Sequence, residues 1–217
     1  KSEKMKVCTC LNPLHTTLAV YGCLLGFESI AEETKDEDLS KLIKKVGYTE
    51  GLPVVIDPGI IDPGKFIDEV IGKRFPNPYT PDTPQRIATD TSQKVGIRFG
   101  ETIKAYYASE ELGSEKLRFI PLVIAGWLRY LLGIDDNGNE MQLSPDPMVN
   151  ELKAHMKSIK FGQPDTVKKH LRPILSDHKL FGINLYEAKI ADRVENYFKE
   201  LIAGNGAVRA TLKKYLE

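Results

Sequence analysis

Apolar residues recur at helical rather than alternating spacing along most of the chain. After Asn12-Pro13, Leu14, Leu18, Tyr21 and Leu25 fall on one helical face, while Ala19, Gly22 and Gly26 continue the face that carries His15. That second face is small enough for another element to pack closely. The charged stretch "AEETKDEDLSKLIKKVGY" predicts an exposed short helix, and "GLPVVIDPG" a turn-bounded extended segment. Residues 63–75 read as a helix with Asp62 at its cap. Helical spacing returns from Thr83 to Ser109. Ser114, Glu115 and Lys116 open the longest apolar helix, which ends at Gly133. "SPDP" caps another helix, and Pro164 with Asp165 signals a further start. The last forty residues form two amphipathic helices broken at "GNG". At most one or two short strands are expected, with no internal repeat. The predicted fold class is mostly α, a single multi-helical domain over residues 1–217.

One segment interrupts this pattern. "RFPNPYTPDTPQR" has four prolines between Pro76 and Pro84, which excludes regular helix and central strand and predicts a rigid loop. Pro78 and Pro81 give P-x-x-P, but between two helices this spacing reads as architecture rather than as an SH3-type ligand. No strand followed by G-x-G-x-x-G occurs, and no P-loop. The chain therefore carries no dinucleotide or triphosphate cradle of its own.

Composition narrows the partners. At 217 residues the chain can bury a substantial core without disulfide or metal. Lysine plus arginine and aspartate plus glutamate both number 30, which argues against nucleic acid or an anionic membrane as the main partner. A small substrate or a protein surface fits better. The apolar stretch "FIPLVIAGWLRYLLGI" contains Pro121 and Arg129 and is shorter than the roughly 20 residues a bilayer span needs. Cys8, Cys10 and Cys23 are odd in number and unlike a secreted disulfide framework, so a reducing cytoplasm is expected. "KSEKMKV" has no signal-peptide pattern and no initiator methionine, so a piece of a longer protein is expected.

Three groups of residues carry candidate chemistry. In "LNPLH", Asn12 suits an N-cap and Pro13 the first helical position, so helix-start grammar alone accounts for them. The same geometry points Asn12 and His15 past the helix end, where the dipole disfavours imidazolium and leaves a neutral histidine able to hold a carbonyl or hydroxyl. Lys6 adds a candidate general base. A zinc site from Cys8, Cys10, His15 and Cys23 is disfavoured, because C-x-C lacks the usual ligand spacing and would lie in an extended segment. In "RIATDTSQKVGIR", Arg86, Asp90, Lys94 and Arg98 recur every fourth residue. A solvated charged face explains such a stripe, yet its apolar flanks and the preceding proline loop favour a site for a polyhydroxylated or carboxylate substrate.

Taken in order, the lysine with "NxxH", "RFPNP", "RIATDTSQK" and "IPLVIAGWLRYL" resemble the C-terminal domain of the mannitol dehydrogenase family of long-chain polyol and hexuronate dehydrogenases. The resemblance runs from Lys6 to the terminal helices. It implies a multi-helical substrate domain of the kind found in 6-phosphogluconate dehydrogenase-like enzymes, working with an N-terminal Rossmann domain that binds NAD or NADP. It implies Lys6 as acid or base, Asn12 and His15 on the reacting oxygen, and Arg86 and Lys94 lining the substrate pocket. No metal is implied. The family lysine lies five residues before the asparagine, whereas Lys6 lies six before Asn12. Either a bulge in "VCTCL" takes up the extra residue or another group is the base, with Lys4 the nearest alternative lysine. The implied reaction interconverts a sugar acid or polyol and its keto form, with D-mannonate/D-fructuronate ahead of mannitol/fructose. The chain alone is expected to be inactive. The reading from another class is a helical oligomerisation or interaction module without catalysis.

Overall fold

A computed structural model describes all 217 residues. Its main helices are α1 (Asn12–Leu25), α2 (Glu37–Lys44), α3 (Pro63–Glu69), α4 (Glu101–Ala108), α5 (Phe119–Tyr130), α6 (Val149–Met156), α7 (Ala191–Leu201) and α8 (Ala207–Leu216). Short helical turns join them. No strand forms, since the only bridges are isolated ones pairing Ile134 with Glu140 and Lys160 with Gln163. The chain thus contains no Rossmann unit.

Helix α5 is the centre of the molecule because it is apolar apart from Arg129 near its end and buried from Ile120 to Tyr130. A helix so nearly apolar has no stable place at a surface, and α7 and α1 pack on it. Each of its fully buried aliphatic side chains contributes about 1.5–3 kcal/mol. Gly126 lets α1 approach: a β-carbon there would stand 2.5 Å from the Tyr21 ring, whose hydroxyl donates to the Leu122 carbonyl at 2.6 Å. The start of α5 is capped from a distance by buried Glu50, which accepts the backbone N–H groups of Arg118, Phe119 and Ile120 at 2.6, 2.9 and 2.7 Å. At its other end buried Arg129 donates to the carbonyls of Leu201, Ile134 and Asp135. One continuous core runs from Met5 to Leu216.

Several expected elements hold. Asp62 caps α3 by accepting from Lys65 N–H at 3.0 Å, and α7 and α8 are separated by a turn at "GNG". Others are corrected. The "VCTC" segment is a π-helical turn, Lys6–Cys10, rather than extended chain. "GLPVVIDPG" gives one 3₁₀ turn, Leu52–Val54, and then irregular chain; Pro53 and Pro58 have no N–H to offer a ladder. The longest apolar helix begins at Phe119 because Leu117 is extended and Arg118 is not helical. Residues 83–109 form four pieces instead of one helix. Asp90 adopts a left-handed conformation (φ 56°) and gives its N–H to the Pro145 carbonyl at 2.9 Å, which ends the first piece. The four-residue stripe from Arg86 to Arg98 is therefore not a helix face.

Candidate active site

Lys6 opens the π turn, which closes with the Leu11 N–H donating to the Lys6 carbonyl at 3.1 Å. A turn closed over five residues holds one residue more than an α turn, and such turns occur often at functional sites. Helix α1 starts directly afterwards. Its N-cap is Leu11, whose side chain cannot cap, and the Leu11 carbonyl accepts from His15 N–H at 2.9 Å. Asn12 is thus the first helical residue rather than the cap, a correction that follows from the helical turn running straight into α1. Pro13 sits in the first turn, where a missing N–H costs nothing. The Asn12 amide, half-buried and not spent on capping, remains free for a ligand.

Lys6 and His15 each lie against an aromatic ring of residues 63–75. The Lys6 ammonium lies 5.7 Å from the Phe66 ring centroid and 3.9 Å from Glu3. The His15 ring tilts against that of Phe75 at 5.2 Å between centroids. Phe66 belongs to α3, and Phe75 ends the π turn Val70–Arg74 that continues it.

His15 is the electrostatic focus. Its Nε2 is buried without a hydrogen-bond partner and stands 3.5 Å from the Asp82 carboxylate. Burial, then the charges of Arg98, Arg74, Arg86 and Lys94, bring its pKa down to about 4. Asp82 by itself would favour the imidazolium. Its charge is offset by an ion pair with Arg86, so the four cations and the burial prevail and His15 is neutral at pH 7.

The remaining groups surround that imidazole. Arg86 is mostly exposed and held by Asp82. Lys94 is half-buried, donates to the Thr89 carbonyl, and has its pKa lowered by burial and by Arg98. Arg98 donates to the Thr16 hydroxyl at 2.5 Å, and burial pushes its guanidinium down to about 10.

His15, Arg86 and Lys94 therefore come together although no single helix carries the two cations. Asn12 lies one α turn before His15, and Lys6 six residues before Asn12, across the π turn that Leu11 closes. Sequence reasoning did not single out Asp82 or Arg74, and it placed Arg98 in the stripe without a role. The four-residue step from Asp82 to Arg86 was the available signal. The three cysteines are buried and free, and no group of three metal-ligating side chains converges. No helix is long and apolar enough to cross a membrane.

Residues 1–202 match the family model described as the mannitol dehydrogenase C-terminal domain. The chain is 59% identical to the D-mannonate oxidoreductase of Thermotoga maritima over 214 residues, which cover 99% of this chain and 40% of that protein. It is 30% identical to the mannitol 2-dehydrogenase of Emericella nidulans over 95% of this chain and 38% of that protein. The chain thus spans about two fifths of the length of the curated relatives it matches. A solved ternary complex of Pseudomonas fluorescens mannitol 2-dehydrogenase with NAD and D-mannitol shares the fold. Its TM-score is 0.83 at 23% identity, covering 99% of this chain and 40% of that one. With its helical fold and the match over residues 1–202, the chain belongs to the mannitol dehydrogenase family, as a C-terminal domain of that family.

Proposed function

We propose that this chain is the substrate-binding part of an NAD(P)-dependent oxidoreductase that interconverts D-mannonate and D-fructuronate. The observation that carries the reading is the 59% identity to the Thermotoga maritima D-mannonate oxidoreductase across 99% of the chain. The cations gathered around a neutral His15 suit an anionic, hydroxyl-rich substrate. The 30% identity to a mannitol 2-dehydrogenase favours mannitol/fructose as the second reading. The continuous core supports treating residues 1–217 as one domain, and the free cysteines suit a cytoplasmic setting.

The residues present fit the substrate side of such a reaction. Lys6, an unspent amide and a neutral imidazole offer donors and an acceptor, while nothing in this strandless chain cradles a dinucleotide. The nucleotide is held chiefly by a Rossmann domain ahead of this chain. Hydride acceptance is the chemistry that NAD or NADP supplies when bound. Lys6 takes the hydroxyl proton as the alcohol becomes a ketone and returns it in reduction. The π turn supports this role, because it takes up the additional residue between Lys6 and Asn12. Asn12 and His15 donate to the oxygen as negative charge develops on it. Arg86 and Lys94 orient the distal part of the substrate.

The test is a substrate panel on the full-length protein, with oxidation of NADH or NADPH followed in the presence of D-fructuronate, D-tagaturonate and D-fructose. Highest kcat/KM with D-fructuronate is expected. A clear preference for D-fructose would favour the second reading, and no turnover of any of the three would remove the oxidoreductase reading.

A further inference from the structure

Of the four cations that depress the pKa of His15, Arg98 exerts the largest charge effect. It is also differently engaged. Arg86 is paired with Asp82, and Lys94 is tied to the Thr89 carbonyl and feels Asp90 and Asp146. Arg98 has no carboxylate partner. The only hydrogen bond of its side chain runs from Nη1 to the hydroxyl of buried Thr16, the residue next to His15. The rest of the guanidinium fork is uncommitted. The nitrogens of that fork without a partner are not among the fully buried unpaired atoms, so they stay open to a ligand.

We propose that Arg98 binds the carboxylate of a sugar-acid substrate and so sets the preference for a sugar acid over a neutral polyol. The proposal rests on the oxidoreductase reading above. A guanidinium presents parallel N–H donors that match a carboxylate in two-point fashion, and it keeps its charge at neutral pH. Thr16 takes one donor and fixes the plane of the fork, which leaves the other edge for a ligand beside His15. A hydroxymethyl group in place of the carboxylate brings no charge to that edge. Arg86 and Lys94, already engaged with the protein, serve hydroxyl groups of either substrate class.

The experiment compares D-fructuronate with neutral D-fructose as substrates of the full-length enzyme and its variants, at saturating NADH. The ratio of kcat/KM for acid over neutral substrate is expected to fall about 10- to 100-fold in Arg98→Gln, chiefly through KM for the acid. Arg98→Lys is expected to fall between the two, and guanidinium added at millimolar concentration should restore part of the loss in Arg98→Gln. Thr16→Val, which keeps side-chain volume and removes the hydroxyl that aims the fork, should lower the same ratio by a smaller factor. It stands as the test if Arg98→Gln does not fold. Wild-type preference for the acid with an unchanged ratio in both variants would overturn the assignment of Arg98 and leave the oxidoreductase reading intact. Absence of turnover by the wild type would overturn both.

Discussion

His15 should remain a neutral imidazole at every pH from about 5 upward, and this can be measured directly. In an unfolded chain a histidine titrates near 6.5, whereas burial and the surrounding cations bring His15 to about 4. At about 1.4 kcal/mol per tenfold change, the difference amounts to roughly 3 kcal/mol against charging the ring in the folded protein. The side chain is only 14% exposed, so solvent screening takes little from that figure. Because the folded-state value lies below the unfolded one, the unfolded chain binds a proton that the folded chain refuses. Stability is therefore unaffected by His15 above about pH 6.5 and falls as pH drops from there toward 4. At pH 5.5 the loss is about 1 kcal/mol and at pH 4.5 about 3 kcal/mol. Urea unfolding of wild type and His15→Gln at pH 7.5, 5.5 and 4.5 isolates this contribution. The variant should lack that part of the acid decline, and an NMR titration should show His15 still neutral at about pH 5. A His15 that titrates near 6.5, or an unchanged acid decline in His15→Gln, would refute the reasoning.

Three further outcomes follow from the packing and the missing nucleotide cradle. Gly126→Ala should destabilise by about 1–3 kcal/mol, read as a lowered Tm, because its β-carbon meets the Tyr21 ring, which is anchored at Leu122. Glu50→Ala leaves three N–H groups at the start of α5 without an acceptor and should cost about 3 kcal/mol or more in chemical denaturation, with Glu50→Gln losing less. Calorimetry on the 217-residue chain alone should detect no stoichiometric NADH binding, since nothing in it forms a strand–turn–helix cradle.

Much of this fold was legible because its signals are local. "DPG" announced the Asp62 cap, "GNG" the break between α7 and α8, and the unbroken apolar run of α5 its central burial. The parts that were not legible depend on partners distant in sequence. An extended reading of "GLPVVIDPG" needs a neighbouring strand, and the chain supplies none. Asp90 leaves helical geometry because its N–H goes to Pro145, a contact that no window around residue 90 contains. The π turn after Met5 has no compositional signature, since an extra residue in a helical turn changes bonding and not propensity. The site was read in part for the same reason. Asn12, His15, Arg86 and Lys94 were named from short motifs, whereas the nearness of Arg74, Asp82 and Arg98 to His15 arises only when the proline loop folds back over α1. Asn12 was assigned the capping role that its residue type suggests, and the structure releases it from that role.

The central claim is that Lys6 moves the proton of the reacting hydroxyl. The measurement that reaches it most directly is kcat/KM for D-mannonate oxidation by the full-length protein and its Lys6→Met variant. A loss of about 10²–10⁴-fold is expected, while folding and NADH binding persist. A Lys6→Met enzyme that retains near-normal rates would contradict it.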